Sequence, residues 1–98
     1  MQFVIDEAHE GERVVLTVRG EIDMATEPRL RAALERAAGA SEVRVDLTAV
    51  EFMDSSGLNA LVSAHQAPAR LVVVCPPGAA RRALEISGLV NVLNVVSS

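Results

Sequence analysis

Apolar residues recur along this chain with two alternating rhythms. Val14, Leu16 and Val18 alternate with Val15, Thr17 and Arg19, and a shorter run, Phe3 to Glu7, precedes them. Alternation of this kind marks a strand, and His9-Glu10-Gly11-Glu12 between the runs supplies a turn. The pattern therefore predicts an N-terminal hairpin whose second strand is partly buried on both faces. Gly20-Glu21-Ile22-Asp23 interrupts the alternation and is expected to leave the sheet as an exposed charged loop that contributes little to folding. At Thr26-Glu27-Pro28 the rhythm becomes helical: a hydroxyl to cap, an acid at the positive end of the helix dipole, and a proline in the first turn. Leu30, Ala33, Leu34 and Ala37 follow at helical spacing, and Gly39 ends the helix.

The second half repeats the exchange. Val43, Val45 and Leu47 predict a strand that continues through Val50-Glu51-Phe52-Met53. Leu58, Leu61, Val62 and His65 then share one face of a second helix, which Pro68 stops for want of an amide hydrogen. Leu71 to Cys75 is too short for a helix and suits a central strand. A third helix is expected from Ala79 to Ser87, closed by Gly88 in the left-handed conformation with Leu89 packing back, and Val92 to Val96 forms a last strand. Such alternation specifies an α/β domain, a mixed sheet of four to five strands with three helices, opened by one antiparallel hairpin. Its expected core is Val18, Leu34, Val45, Leu47, Leu61, Val73 and Leu84, and no linker or repeat divides residues 1–98.

Composition narrows the function. Half of the 98 residues are apolar, enough for one core without staples. With two Phe and neither Tyr nor Trp, binding by aromatic stacking is nearly excluded. A net charge of −4, with nine scattered arginines and no lysine, argues against gripping a phosphate backbone. No apolar run approaches a membrane span, and the N-terminus lacks a basic segment followed by a long apolar one, so a cytoplasmic protein is expected. Cys75 closes an apolar run and reads as a small buried hydrophobe.

Asp54, Ser55 and Ser56 lie where the third strand yields to the second helix, and they invite a catalytic reading. A serine nucleophile needs a base within hydrogen-bond reach. His9 belongs to the hairpin turn; His65, expected half-buried, lies roughly 10 Å along the helix beyond Leu58. The G-x-S-x-G elbow, P-loop, H-E-x-x-H and C-x-x-C are all absent, so no enzyme is expected. Glu21, Asp23 and Asp54 lack a metal-ligand spacing, and neither metal nor cofactor is expected. Any of Asp54, Ser55 and Ser56 could cap the helix, and that role alone would account for them.

The complete order of motifs says more. The hairpin, Gly20-Glu21-Ile22-Asp23, the strand Val43 to Leu47, Phe52-Met53-Asp54-Ser55-Ser56-Gly57-Leu58, the strand ending at Pro76, and Ile86-Ser87-Gly88-Leu89 together resemble the bacterial anti-sigma factor antagonists of the STAS domain family. The resemblance covers nearly the whole chain. It implies that Ser55, directly after Asp54, is a phosphate acceptor, and that Glu21, Asp23, Asp54, Ser55, Ser56 and Gly57 form a partner-binding face. The implied partners are an anti-sigma factor with serine kinase activity, bound when Ser55 is unmodified and released when it is phosphorylated, and a serine phosphatase that resets the switch. Within such a switch Ser56 is expected to cap the helix, and the free amides at the helix start to accommodate the phosphate. The same family also implies an alternative, a constitutive STAS binding subunit of a membrane transporter such as a lipid-transporting ATPase. This sequence departs from the family pattern in two places. The connection His65-Gln66-Ala67-Pro68-Ala69-Arg70 is short, and the chain stops at Ser98 where many members continue into a last helix, so that apolar surface left uncovered there could support self-association.

Overall fold

A computed structural model describes residues 2–98 of the protein. The chain runs through β1 (Val4–Glu10), β2 (Arg13–Ile22), α1 (Glu27–Arg36), β3 (Glu42–Met53), α2 (Ser55–His65), β4 (Arg70–Val74), α3 (Ala79–Ile86), a 3-10 turn (Leu89–Asn91) and β5 (Val95–Val96). The strands form one five-stranded sheet in the order β1-β2-β3-β4-β5, the order in which they occur in the chain. Only β1 and β2 pair antiparallel; the other three pairs are parallel, each joined by a helical crossover.

Alternation along β2 and β3 decides which side of the sheet is covered. Val14, Leu16, Val18, Val43, Val45 and Leu47 face the helices and are buried. Arg13, Thr17, Glu42, Arg44 and Asp46, on the intervening positions, face the other way and keep some contact with water. The helices contribute Leu30 and Leu34 from α1, Leu61 from α2 and Leu84 from α3 to the same core. All seven core residues expected from the sequence are buried. Leu71 to Val74 are buried throughout, as a strand flanked by two others should be. Removing each large core side chain from water contributes about 1.5–3 kcal/mol.

Several local expectations need correction. The hairpin turn is only Gly11-Glu12, and His9 lies within β1 opposite Val14. Gly20-Glu21-Ile22 does not leave the sheet: Gly20, Glu21 and Ile22 pair with Val50, Phe52 and Met53, after register shifts that let the two strands stay together to their ends. The buried stripe of α2 is Gly57, Ala60 and Leu61, which turns His65 out to solvent. A half-buried role for His65 is therefore wrong. The expected last strand shrinks to Val95–Val96, because Gly88 at φ 80° closes α3 and launches a 3-10 turn. Leu89 packs back against the core as expected.

Candidate functional site

Two adjacent strands deliver the site. β2 and β3 run parallel and end side by side, Ile22 beside Met53, and the Asp54 amide donates to the Ile22 carbonyl at 3.0 Å. The loop after β2 and the start of α2 are thus held at one edge of the sheet. That edge brings Glu21 and Asp23 to the same end of the sheet as Asp54, Ser55, Ser56 and Gly57, as the sequence led us to expect.

The start of α2 is capped by Asp54 and not by Ser56. Asp54 has extended backbone, and its Oδ1 accepts the Ser56 amide at 2.9 Å as well as the Ser56 hydroxyl. Its carbonyl accepts the amides of Gly57 at 3.1 Å and Leu58 at 3.3 Å. A carboxylate at this position satisfies donors that a helix start otherwise leaves without partners. The Ser56 hydroxyl holds the Asp54 carboxyl below its ordinary value of 3.8, with the Ser56 and Gly57 amides adding to the effect against a smaller opposing influence of burial. Ser56 therefore supports the cap from within the first turn of α2.

Ser55 is the first residue of α2 and is exposed. Among the described residues no group hydrogen-bonds its hydroxyl. The amides of Ser56, Gly57 and Leu58 already have acceptors, which leaves the Ser55 amide as the one first-turn donor without an acceptor among the described residues. A modified Ser55 would feel the positive end of the helix with its own amide as the remaining donor.

Gly57 explains the glycine in the motif. A Cβ there would lie 2.6 Å from Met53 Cγ and 2.7 Å from Ile22 Cγ2, two buried side chains at the ends of β3 and β2. Only a residue without a side chain lets α2 begin this close to the sheet.

Asp23 proves to be structural and is half-buried. Its Oδ1 accepts the amides of Ala25 at 2.9 Å and Thr26 at 3.0 Å. Thr26 occupies the N-cap position of α1 but caps nothing with its side chain; the hydroxyl donates to the Glu21 carbonyl at 2.8 Å and accepts the Asp23 amide at 3.0 Å. These bonds fold the turn that joins β2 to α1, so the view that Asp23 contributes little to folding is corrected. Glu21 makes no comparable side-chain bond among the described residues and is exposed. Asp23 followed by threonine at the third position was the sequence signal for this turn.

The sequence reading missed Met24 and Phe52. Met24 is 82% and Phe52 47% exposed, large apolar side chains in the loop after β2 and at the penultimate position of β3 before the junction. Phe52 pairs with Glu21, whereas the next pair, Ile22 and Met53, points into the core.

A family model described as "Mlab, STAS domain" matches residues 5–96. The chain belongs to the STAS domain family. An anti-sigma-B factor antagonist of Listeria monocytogenes is 33% identical over 90 residues, covering 86% of this chain and 79% of its own. The crystal structure of an anti-sigma factor antagonist from Mycobacterium paratuberculosis superposes with a TM-score of 0.89 at 27% identity, covering 99% of this chain and 87% of that one. The antagonist SpoIIAA shares the fold in its unphosphorylated form, with a TM-score of 0.73, 18% identity and coverage of 99% and 89%. Its phosphorylated form, from Bacillus, gives 0.71, 21%, 99% and 93%. The five-stranded sheet with three helices is thus the STAS fold. Among the described residues no helix is long and apolar enough to cross a membrane, and no group of three or more His, Cys, Asp or Glu is placed to hold a metal ion.

Proposed function

We propose that residues 1–98 act as one STAS domain that is an anti-sigma factor antagonist, switched by phosphorylation of Ser55. The carrying observation is the exposed, unbonded Ser55 hydroxyl on a start of helix α2 that Asp54 has already capped. The group to be modified is separate from the group that stabilises the helix. The names of the relatives at 27% and 33% identity support the antagonist reading over a constitutive transporter subunit.

In this reading the chain is substrate and ligand, and catalysis belongs to its partners. The unmodified face, with Glu21, Asp23, Asp54, Ser55, Ser56 and Gly57, docks an anti-sigma factor that is also a serine kinase. Phosphate adds about −1.5 to −2 charges at the first residue of α2. Because three of the first-turn amides are occupied and only that of Ser55 is left to donate, that charge stays on the surface beside Asp54, where it opposes docking and remains open to a phosphatase. The fold itself is left unchanged.

The test is to react the protein with the purified anti-sigma factor kinase encoded in the same genome and ATP, map the phosphate by tandem mass spectrometry, and measure binding before and after. Phosphate on Ser55 and loss of binding are expected; Ser55→Ala should bind and stay unmodified. Phosphate on Ser56, or full binding by the phosphorylated protein, would refute the switch.

A further inference from the structure

Exposed large apolar side chains are few among the described residues, and their placement is uneven. Ile86 and Val92, 77% and 55% exposed, lie at the end of α3 and just past the 3-10 turn, away from the Ser55 junction in the chain. Met24 and Phe52 instead bracket the junction that carries Ser55. Each lies two residues from one partner of the Ile22–Asp54 hydrogen bond, Met24 after Ile22 and Phe52 before Asp54. Alternation along β3 turns Phe52 away from the buried Met53, and Met24 lies in the loop beyond the buried Ile22, so neither side chain is taken up by the core.

The charge around these two side chains has one sign. Glu21, Asp23, Glu51 and Asp54 lie on the same two strand ends, and the nearest arginine along β2, Arg19, is paired with Ala49 farther down the strands. Arg31 is occupied by Glu27 at 2.8 Å, and Arg29 lies over the Phe3 ring. The structure assigns to Met24 and Phe52 the role of apolar anchors for the anti-sigma factor, docking into an apolar recess that basic side chains border. This inference rests on the proposed function and adds what that reading lacks: the source of affinity. An exposed acid rim contributes mainly to encounter rate and orientation, whereas buried aromatic and thioether side chains slow dissociation. Phosphorylation of Ser55 then needs only to spoil the rim to prevent the anchors from seating.

The experiment measures association and dissociation rates against the purified anti-sigma factor kinase from the same genome, at low and high salt, for the wild type, Phe52→Ala, Met24→Ala and Glu21→Gln. Phe52→Ala should weaken binding about ten-fold or more and Met24→Ala several-fold, in the dissociation rate and at either salt concentration, with unchanged melting temperature. Glu21→Gln should slow association and flatten its salt dependence. If both alanine variants bind like the wild type while phosphorylation of Ser55 still blocks binding, the anchors are wrong and the proposed function stands. If the wild type itself does not bind, both fall. Affinity lost together with melting temperature, or concentration-dependent dimerisation abolished by the double alanine variant, would assign the two side chains to folding or to a second copy and overturn the inference.

Discussion

Gly57→Ala isolates the contact that seats α2 on the sheet. Two effects oppose each other. Replacing glycine by alanine inside a helix gains up to about 1 kcal/mol in propensity, less in the first turn. The new methyl, however, would fall 2.6 Å from Met53 Cγ and 2.7 Å from Ile22 Cγ2. Met53 can rotate, but Ile22 is β-branched, fully buried and bonded through its carbonyl to Asp54, so it has little room to retreat. Overpacking of this kind costs about 1–3 kcal/mol, and it should win by about 1–2 kcal/mol. In a domain of this size each 1 kcal/mol moves the thermal midpoint by about 4–8 °C. Calorimetry or circular dichroism should therefore show a fall of about 4–15 °C. Gly39→Ala is the control, since nothing lies within 4 Å of its Cβ; it should be neutral or raise stability by a few tenths of a kcal/mol, roughly. A Gly57→Ala midpoint equal to or above the wild type would show that α2 does not depend on this close approach.

Four further outcomes follow from the fold and the junction. Asp54→Ala should lose about 0.5–2 kcal/mol in urea unfolding, and Ser56→Ala clearly less, because Asp54 supplies the cap; equal losses would contradict that assignment. Since the folded Asp54 carboxyl titrates below 3.8, its contribution is complete above that value and disappears as pH falls through the lower folded value, so the stability gap between wild type and Asp54→Ala should close in strong acid and be constant from neutrality down to about pH 5. Asp23→Ala should lose about 1 kcal/mol with the turn after β2 while Glu21→Ala loses almost nothing, and Leu47→Ala, fully enclosed, should lose about 2–5 kcal/mol; denaturant midpoints check all three.

The elements were legible wherever burial imposes a period. Val14, Leu16 and Val18 had to share one face, and the same rule fixed Val43, Val45 and Leu47. Legibility failed where neighbours decide. Nothing local to Gly20-Glu21-Ile22 shows that β3 continues alongside it, and a glycine followed by acids reads as a loop until Phe52 and Met53 are placed opposite. His65 was misplaced because the stripe of α2 is set by the small residues Gly57 and Ala60 rather than by the larger Leu58 and Val62. At the junction the residue types were readable but their division of labour was not. Asp54, Ser55 and Ser56 are all competent caps, and only the backbone of Asp54, extended while Ser55 and Ser56 are helical, selects the acid. Met24 and Phe52 escaped notice because an apolar residue carries no mark of whether it faces the core or a partner.

A sheet whose strands stand in chain order can be assembled in the direction of synthesis. Each strand leaving the ribosome finds its neighbour already present, as the open edge of what came before, and no later segment has to insert between two earlier ones. The junction at Ser55 lies where the second and third strands end and needs only the chain as far as α2 to close, while β4 and β5 are still to come. A nascent chain stalled after α2 should already protect the Asp54 amide from hydrogen exchange, so this edge would exist before the domain that carries it is finished.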